Sequence, residues 1–573
     1  MSYERFVAVL RQIEATSGRR QTVALLADAL AALPGEEVPQ AVLLVQGLLS
    51  PPFEGIELGM AEAEAARALA LAAGLPAEEV RSELHRRGDL GELATLLPAG
   101  RGGLALGEVF DALLAIARDR DPGSQGRKRA ALASLLGRAS PDEVRYLLRT
   151  ATGKLRLGVG DATLLEAIAT AFLAPDARPL VERAYRLTSD LGAVAGLARR
   201  GAEALGEVRI QPGKPVRMML AERLPTPAAI VEQLGPHTAE YKYDGERLQI
   251  HWDGAAFRAF SRRIEDVTHQ IPDLLDALAE LNRPFILEAE AVVVDPTSGA
   301  MRPFQHVLNR RVKRLTPEIL ASYPLKAFVF DLLHHNGDDL IDLPYRARRA
   351  RLEAIVPVGE RLALSTARPI ANRAQLEVFF DEAIGAGTEG VMCKAPASPY
   401  EAGRRGFAWI KYKGPGGGAL TDTLDLVVVG AWWGRGRRAG AYGSLLVATF
   451  NPDDDCFETI SRLGAGLTDR HLFDLLPALL NPLRRDSPPA RLESRLRPDV
   501  WFDPAIVFEV QAQELTRSPM HTCGVRTLGD GRGLALRFPR FVRHRDDKRP
   551  AEATTTAEVL ELFETAQRLV PRG

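Results

Sequence analysis

The spacing of apolar residues predicts that the first third of the chain is helical. Residues 1 to about 205 are rich in Ala and Leu and contain few β-branched runs, a composition that favours helices. One helix start is clearly marked, because Ser140 precedes Pro141 and Glu143 follows at the third helical position. A serine cap, a proline at the first helical position and a glutamate at the third are typical of helix N-termini. We therefore expect a helical domain over residues 1–205.

Short alternating runs take over from about residue 206. Residues 248–252 and 256–260 alternate between apolar and polar on either side of Asp253-Gly254, a dipeptide typical of β-hairpins. Further strand-like runs lie at 285–295, 325–333, 390–395 and 407–413, with helical stretches at 272–281 and 375–384 between some of them. This pattern predicts an α+β domain over residues 206–414, built on a substantial, largely antiparallel sheet.

A glycine-rich segment, 414–418, separates this domain from the C-terminal region and has the composition of a flexible linker. Short strand-like runs follow it at 424–429, 444–450, 457–463, 506–510 and 534–538. About five short strands with turns between them indicate a small β-barrel, such as an OB-fold, over residues 415–573. The predicted fold class is therefore multidomain α+β.

The charge balance and the cysteines limit the kinds of partner. Lys and Arg number 73 against 74 Asp and Glu, so nucleic acid would have to be bound through local patches. Three cysteines without a Cys-x-x-Cys pair exclude a disulfide framework and a four-cysteine zinc module, and they suit a reducing, cytoplasmic compartment. The sequence contains no apolar run of membrane-spanning length, so no membrane partner is expected.

The chain contains ten lysines against 63 arginines, which makes each retained lysine informative. A GC-rich genome replaces lysine by arginine wherever a cation alone is needed, but a guanidinium stays protonated and is not a nucleophile. Four of the ten, Lys242, Lys394, Lys411 and Lys413, lie in strand-like segments of the predicted α+β domain. A site that needs a deprotonated amine is therefore expected there.

Lys242 has the surroundings that attack on phosphorus requires. It stands beside Asp244 and Gly245 on a short turn before the hairpin, and the glycine permits close approach of the backbone. An ordinary lysine amine has a pKa of about 10.4 and needs burial or neighbouring cations to react near neutral pH. Lys411 and Lys413 are two residues apart in a strand, point to one face and could supply those cations.

Carboxylates in apolar strands fit the same chemistry. Glu288 and Glu290 share one face of the run 285–294, and Glu389 precedes the run 390–394. A buried carboxylate needs a cation, a metal or a ligand hydroxyl, and Mg²⁺ prefers oxygen ligands shared with phosphates. The alternative is that Glu288 or Glu290 lies on an exposed face of the sheet.

The order of these motifs resembles that of ATP-dependent DNA ligases of the replicative archaeal, bacterial and eukaryotic type, which are covalent nucleotidyltransferases. Residues 240–247 resemble the motif whose lysine becomes adenylylated, which implies this role for Lys242. The resemblance implies that ATP is bound by Glu240, Arg247, Arg262, Glu290, Phe330, Lys411 and Lys413. It also implies Mg²⁺ as a cofactor, held by Asp244, Glu290 and Glu389. Glu288-Ala289 stands where Asp-Gly is commoner in the family.

The flanking regions resemble the same family. Residues 537–548 resemble the C-terminal motif that orients pyrophosphate, which implies that Arg545 and Lys548 contact the nucleotide. The helical region resembles the DNA-binding domain of these ligases, with Arg149, Lys154 and Arg156 as candidate DNA contacts. Lys154 and Arg156 lie in the glycine-rich segment 153–160, which could grip phosphates or be an ordinary loop between helices.

The resemblance implies sealing of nicked double-stranded DNA through a lysyl-AMP and a DNA-adenylate. The C-terminal domain would move on the linker at 414–418 between adenylylation of the lysine and the later steps on DNA. A sliding clamp is a candidate partner, and a monomer is expected. The alternatives are an RNA ligase or capping-type nucleotidyltransferase, an NAD-dependent ligase, and a nucleic-acid-binding scaffold without activity. The roughly 200 helical residues before Lys242 argue against an RNA ligase or capping enzyme. The absence of a four-cysteine set argues against an NAD-dependent ligase, and the retained lysines and carboxylates argue against an inactive scaffold.

Overall fold

The computed structural model describes the chain except for residues 17, 88, 98, 99, 101, 156, 313, 358, 414–422, 435–439, 513 and 569–573. The chain forms two compact units. The first comprises Met1–Glu222, Pro236–Pro369 and Cys393–Ile410, and the second comprises Arg223–Gly235, Ile370–Met392 and Lys411–Gly573. The predicted linker at 414–418 lies outside the described residues. The predicted domain boundaries at 205/206 and 414/415 stay predictions.

The N-terminal region is helical, as the sequence predicts. Its helices are α1 (Tyr3–Glu14), α2 (Arg19–Ala31), α3 (Glu37–Gln46), α4 (Glu62–Ala73), α5 (Ala77–Arg87), α6 (Leu106–Arg118), α7 (Ser124–Arg138), α8 (Pro141–Ala151), α9 (Asp161–Phe172), α10 (Arg178–Thr188), α11 (Leu191–Arg200) and α12 (Ala202–Gly206). The predicted cap of α8 is present, because the Glu143 amide donates to Ser140 Oγ and the Ser140 amide donates to the Glu143 carboxylate. Among the described residues, no helix has the length and apolar character needed to cross a membrane.

The central region mixes helices and strands. Its strands are β1 (Leu220–Arg223), β2 (His237–Lys242), β3 (Glu246–Trp252), β4 (Phe257–Ser261), β5 (Phe285–Val293), β6 (Leu325–His335), β7 (Asp338–Asp339), β8 (Leu362–Leu364), β9 (Ala367–Ile370), β10 (Gly390–Lys394) and β11 (Arg405–Tyr412). Its helices are α13 (Pro227–Leu234), α14 (Pro272–Leu278), α15 (Gln305–Leu308), α16 (Pro317–Ser322), α17 (Tyr345–Ile355) and α18 (Arg373–Gly385).

These strands form two sheets rather than the single sheet that the sequence suggested. One has six strands in the order β4-β3-β5-β6-β7, with β8 added parallel to β6. The other has five strands in the order β1-β11-β10-β2-β9. The tight turn between β2 and β3 explains the difference, because it sends two consecutive strands into different sheets. The predicted hairpin is formed by β3 and β4, which pair antiparallel with Gln249 opposite Phe260.

The C-terminal region is rich in strands, and its main sheet curls into a closed barrel. Its elements are β12 (Leu424–Trp433), β13 (Tyr442–Asn451), β14 (Cys456–Leu463), α19 (Leu476–Leu480), β15 (Arg484–Arg485), β16 (Leu492–Glu493), β17 (Val500–Phe502), β18 (Val507–Gln511), β19 (Glu514–Ser518), α20 (Val525–Leu528), β20 (Gly533–Arg537), β21 (Arg540–His544) and α21 (Thr556–Arg568).

Five of these strands form the ring. β12 pairs with β13 and β18, β13 pairs with β14, and β18 pairs with β21. The Phe541 amide donates to the Ala465 carbonyl oxygen at 2.9 Å, which joins β21 to the end of β14. β12 is apolar on both faces, since Leu426 and Val428 pack in one cluster and Val427 and Val429 in another. This arrangement agrees with the predicted small barrel.

Candidate active site

Lys242 is the last residue of β2 and leads into the tight turn before β3. Its side chain is half-buried. Gly245 in this turn lies so close to β5 that a Cβ there would overlap the Ala291 carbonyl oxygen and lie 2.9 Å from Val292 Cγ2. A side chain at residue 245 would therefore push the turn away from β5 and displace Lys242.

Three other predicted ligand residues of the first unit are less buried than Glu240, and one of them is exposed. Asp244 is half-buried, and its carboxylate accepts a hydrogen bond from the Phe304 amide at 3.2 Å. Glu290 is half-buried on β5, opposite Arg247 of β3 in the strand register. Arg262 is exposed in the turn that follows β4.

Glu240, in contrast, is buried within a cluster of groups from the protein itself. Its side chain is 2% exposed, and one carboxylate oxygen lies 2.9 Å from Lys394 Nζ. The other oxygen accepts a hydrogen bond from the Tyr345 hydroxyl and lies 3.7 Å from Arg349 Nη1. The carboxylate therefore balances the charge of buried cations, whatever contact it makes with a nucleotide.

Lys394 lies among aromatic rings, a placement that the sequence did not indicate. Its Nζ is 4.7, 4.8 and 4.4 Å from the ring centroids of Phe330, Tyr345 and Trp409. Burial lowers the pKa of Lys394, and the nearby Glu240 carboxylate opposes this change. Rings around a desolvated ammonium stabilise its charge through their π faces. Phe330, which is predicted to bind the nucleotide, is thus one of the three rings that surround the Lys394 ammonium.

Arg247 and Glu288 form a second buried pair. Arg247 Nη2 lies 2.7 Å from Glu288 Oε2, and the Glu288 side chain is fully buried. The guanidinium carbon lies 5.4 Å from each of the Phe330 and Trp409 ring centroids. Burial alone would lower the pKa of Arg247, but the Glu288 charge raises it above its usual value. The alternative of an exposed position is thus excluded for Glu288.

In the second unit, Glu389 and Lys413 form an ion pair with 2.9 Å between carboxylate and ammonium. Gly390 follows Glu389 with a φ of +139°, and a Cβ there would overlap the Tyr412 carbonyl oxygen and lie 2.9 Å from Lys413 Cα. Glycine at this position therefore permits the ion pair. Lys411 is half-buried and Tyr412 is buried, as alternation along β11 predicts.

Arg545 and Lys548 are both held by one carboxylate of the C-terminal region. Asp425 on β12 lies 2.9 Å from Arg545 Nη1 and 2.6 Å from Lys548 Nζ. Asp547 also pairs with Arg545, and these carboxylates raise the pKa of Arg545 above its usual value. A nucleotide phosphate would have to compete with Asp425 for the two cations.

The predicted DNA contacts of the helical region differ in accessibility. Arg149 is buried, with a side chain 6% exposed that pairs with Glu14, Asp89 and Glu92. This placement favours a role in holding the helices together. Lys154 is at the surface, 2.7 Å from Glu62, with 39% of its side chain exposed. Arg156 lies outside the described residues.

Phe538 has an unusual exposed position that the sequence analysis did not single out. It lies between β20 and β21, is 62% exposed and has a φ of +52°. A left-handed conformation is uncommon for a residue with a large side chain, and the following Pro539 restricts the backbone further. The Arg537 guanidinium lies 5.2 Å from the ring centroid.

The helical N-terminal region, the strand-rich central region and the C-terminal barrel match the fold class expected of a covalent nucleotidyltransferase joined to a helical domain. Three family models cover most of the chain: "DNA ligase N terminus" over residues 2–169, "ATP dependent DNA ligase domain" over 218–413 and "ATP dependent DNA ligase C terminal region" over 438–548. The chain belongs to the ATP-dependent DNA ligase family.

Full-length relatives agree with this assignment. The chain is 44% identical over 585 residues to a probable DNA ligase of Aquifex aeolicus, with all of both chains covered. It is 43% identical over 591 residues to a DNA ligase of Pyrobaculum calidifontis, again over the full length of both. The solved structure titled "Pmar-Lig_PreS3" is 16% identical, with a TM-score of 0.55 over 94% of this chain and 99% of that one, and supports the fold.

Proposed function

We propose that Lys242 is the residue that carries AMP in an ATP-dependent nick-sealing reaction. The observation that supports this most is the placement of Lys242 on the turn that Gly245 locks against β5, within the segment matched by the ligase domain. After losing a proton, Lys242 Nζ attacks the α-phosphorus of ATP, a P–N bond forms and pyrophosphate leaves. AMP then passes to the 5′-phosphate at a nick, and the 3′-hydroxyl displaces it as the phosphodiester forms.

The remaining predicted residues complete this proposal. Arg247, Arg262, Glu290 and Phe330 of the first unit would bind the nucleotide, and Glu240 would do so while paired with Lys394. Lys411 and Lys413 would hold the α-phosphate, and Arg545 with Lys548 would orient the leaving pyrophosphate. Positioned cations stabilise the charge that develops on phosphoryl oxygens.

Mg²⁺ is part of the proposal. Among the described residues, no group of three or more His, Cys, Asp or Glu side chains could hold a metal ion. Mg²⁺ commonly takes one or two carboxylates together with substrate phosphates, and the accessible Asp244, Glu290 and Glu389 suit that mode. When bound, the ion would neutralise phosphate charge.

Nicked duplex DNA is the proposed substrate, and we expect the enzyme to act as a monomer in the cytoplasm. The three cysteines, Cys393, Cys456 and Cys523, are unpaired and buried, which suits a reducing compartment. A sliding clamp remains a candidate partner.

The test is incubation with α-labelled ATP and Mg²⁺, followed by a nicked duplex. The parent protein should acquire label and then seal the nick. Lys242→Arg keeps the positive charge but removes the nucleophile, so it should do neither. Lys128→Ala, in α7, is the matched control and should be labelled like the parent. Label on Lys242→Arg would overturn the assignment.

A further inference from the structure

The segment that follows the helical region, residues 208–219, has no strand partner and is held by buried side chains instead. Backbone amides and carbonyls in such a segment need other partners. Gln249 supplies two, because its Oε1 accepts from the Val216 amide at 2.8 Å and its Nε2 donates to the Val216 carbonyl at 3.1 Å. The side-chain amide thus acts like a paired strand. Gln249 is fully buried on β3.

His251, two residues further along β3, extends this contact. Its Nδ1 accepts from the Gly213 amide at 3.1 Å, and its Nε2 lies 3.0 Å from Gln249 Oε1. The ring must therefore be neutral with its proton on Nε2. The Gly213 amide and the Val216 amide and carbonyl thus all have partners on Gln249 or His251, which makes the attachment of the segment to β3 specific.

Arg258 on β4 joins the same segment to the helical region. Its Nη1 donates to the Gly213 carbonyl at 3.0 Å, and its Nη2 donates to the Phe53 carbonyl at 2.7 Å. The guanidinium also pairs with Asp266. One side chain of the hairpin therefore bonds to both the connecting segment and the helical region.

An apolar contact beside Arg258 also connects the helical region to the β3–β4 hairpin. Phe53 of the helical region packs edge-on against Phe260 with 6.3 Å between ring centroids, and Ile264 completes the cluster. Ile264 has a φ of +65°, which is a true outlier for a β-branched residue. Such strain persists only where the surroundings enforce it, so the cluster holds the turn in place.

The connecting segment is also bonded to the end of the helical region. Ser189 Oγ donates to the Pro215 carbonyl at 2.8 Å, and the Arg217 amide donates to the Arg186 carbonyl at 2.8 Å. The segment is thus fixed on both sides, to the helices and to β3.

We propose that Gln249, His251 and Arg258 are positioning residues that fix the helical region to the nucleotide-binding sheets, so that the ligase meets a nick with both surfaces already aligned. The inference rests on the proposed function. A preorganised pair of binding surfaces avoids the entropy loss of ordering them on DNA. Gln249 also donates to Glu288 at 3.2 Å, and Glu288 pairs with Arg247, so a change at Gln249 would disturb the proposed nucleotide site as well. A change at Arg258, whose partners are Gly213, Phe53 and Asp266, should therefore alter the KM for nicked DNA and leave the reaction with ATP unchanged.

The test compares Arg258→Lys with the parent in two assays. In the first, the rate of adenylylation by ATP without DNA should stay within about twofold of the parent. In the second, sealing by the adenylylated enzyme should show a KM for nicked duplex raised about tenfold, with kcat within about twofold. Cleavage by trypsin after the exposed Arg209 should also become faster, because the segment is released.

Two further variants separate positioning from lost stability. Ile250→Val changes the neighbouring core residue, which is buried in the apolar cluster of the six-stranded sheet, and should leave the KM unchanged. Arg258→Lys itself keeps the charge at a half-buried position but cannot make all three contacts. Phe53→Leu removes the edge-on ring contact with Phe260 and should also raise the KM, and it is the variant to measure if Arg258→Lys does not fold.

An unchanged KM in the folded variants, or adenylylation that falls together with sealing, would overturn the inference. Failure of the proposed function would look different, because the parent itself would then take no label from ATP.

Discussion

At the scale of single residues, the buried Glu240–Lys394 pair shows how a predicted ligand residue also stabilises the fold. The two side chains are 2% and 1% exposed and lie 2.9 Å apart. Removing Lys394 leaves the buried Glu240 carboxylate with only the Tyr345 hydroxyl and Arg349 at 3.7 Å as partners. Its charge is then only partly compensated, which costs more than the intact pair contributes.

We expect Lys394→Met to lower the free energy of unfolding by about 3–5 kcal/mol. The double variant Lys394→Met with Glu240→Gln should recover part of that loss, because the partly compensated carboxylate is gone. Denaturant unfolding of the parent, both single variants and the double variant measures this coupling. Additive losses would contradict the assigned pairing.

His251 makes the first unit sensitive to acid. Burial lowers its pKa to about 3, and the charges of Arg258 and His334 act in the same direction. In the unfolded chain His251 takes up a proton near pH 6.5, whereas in the folded chain it stays neutral down to about pH 3. The contribution of the neutral, buried His251 to the free energy of unfolding is therefore complete above pH 6.5 and is lost as the pH falls towards 3. Going from pH 7 to pH 5 should remove about 2 kcal/mol.

The check is the free energy of unfolding at pH 7 and at pH 5 for the parent and for His251→Asn. The variant should be less stable than the parent at pH 7, yet its loss between the two pH values should be smaller by about 2 kcal/mol. Equal losses in both proteins would show that His251 is not the group that responds to acid.

At the scale of elements, much of this architecture could be predicted from local sequence. The cap of α8 and the hairpin of β3 and β4 rest on residues close together in the chain. The partners of buried charges could not be predicted this way. Glu240 meets Lys394, and Asp425 meets Arg545, across more than 100 residues. Such pairings depend on strand order, which alternation along one strand does not reveal.

The connection between β20 and β21 holds Phe538 in a strained and exposed position, so a substitution there tests the connection. Phe538→Gly should raise the free energy of unfolding by about 1 kcal/mol, since glycine adopts positive φ freely. The same change should weaken sealing about tenfold if the ring packs against DNA. Stability and sealing would thus move in opposite directions.

Phe473→Ala is the control for this experiment, because Phe473 is another exposed ring of the second unit, 47% exposed, in helical backbone. It should leave sealing unchanged. Sealing unaffected by Phe538→Gly would remove Phe538 from the DNA surface.

At the scale of the whole molecule, the formal net charge is only −1, so DNA must be bound by local groups of cations. Many arginines already pair with carboxylates, as Arg129 does with Glu64 and Arg127 with Asp119. To bind a DNA phosphate, such an arginine must first leave its carboxylate partner. Affinity should still fall steeply with salt, because each phosphate contact releases counterions.

Lys154 offers a direct measure of one such contact. If its ammonium leaves Glu62 for a phosphate, Lys154→Ala should make the slope of log affinity against log salt about one unit shallower. Glu62→Gln removes the competing carboxylate and should tighten binding at low salt. Titration of a labelled nicked duplex with each adenylylated protein, at four or more salt concentrations, gives the slopes. A slope for Lys154→Ala equal to that of the parent would show that the Lys154–Glu62 pair stays intact on DNA, and the glycine-rich segment would then be an ordinary loop.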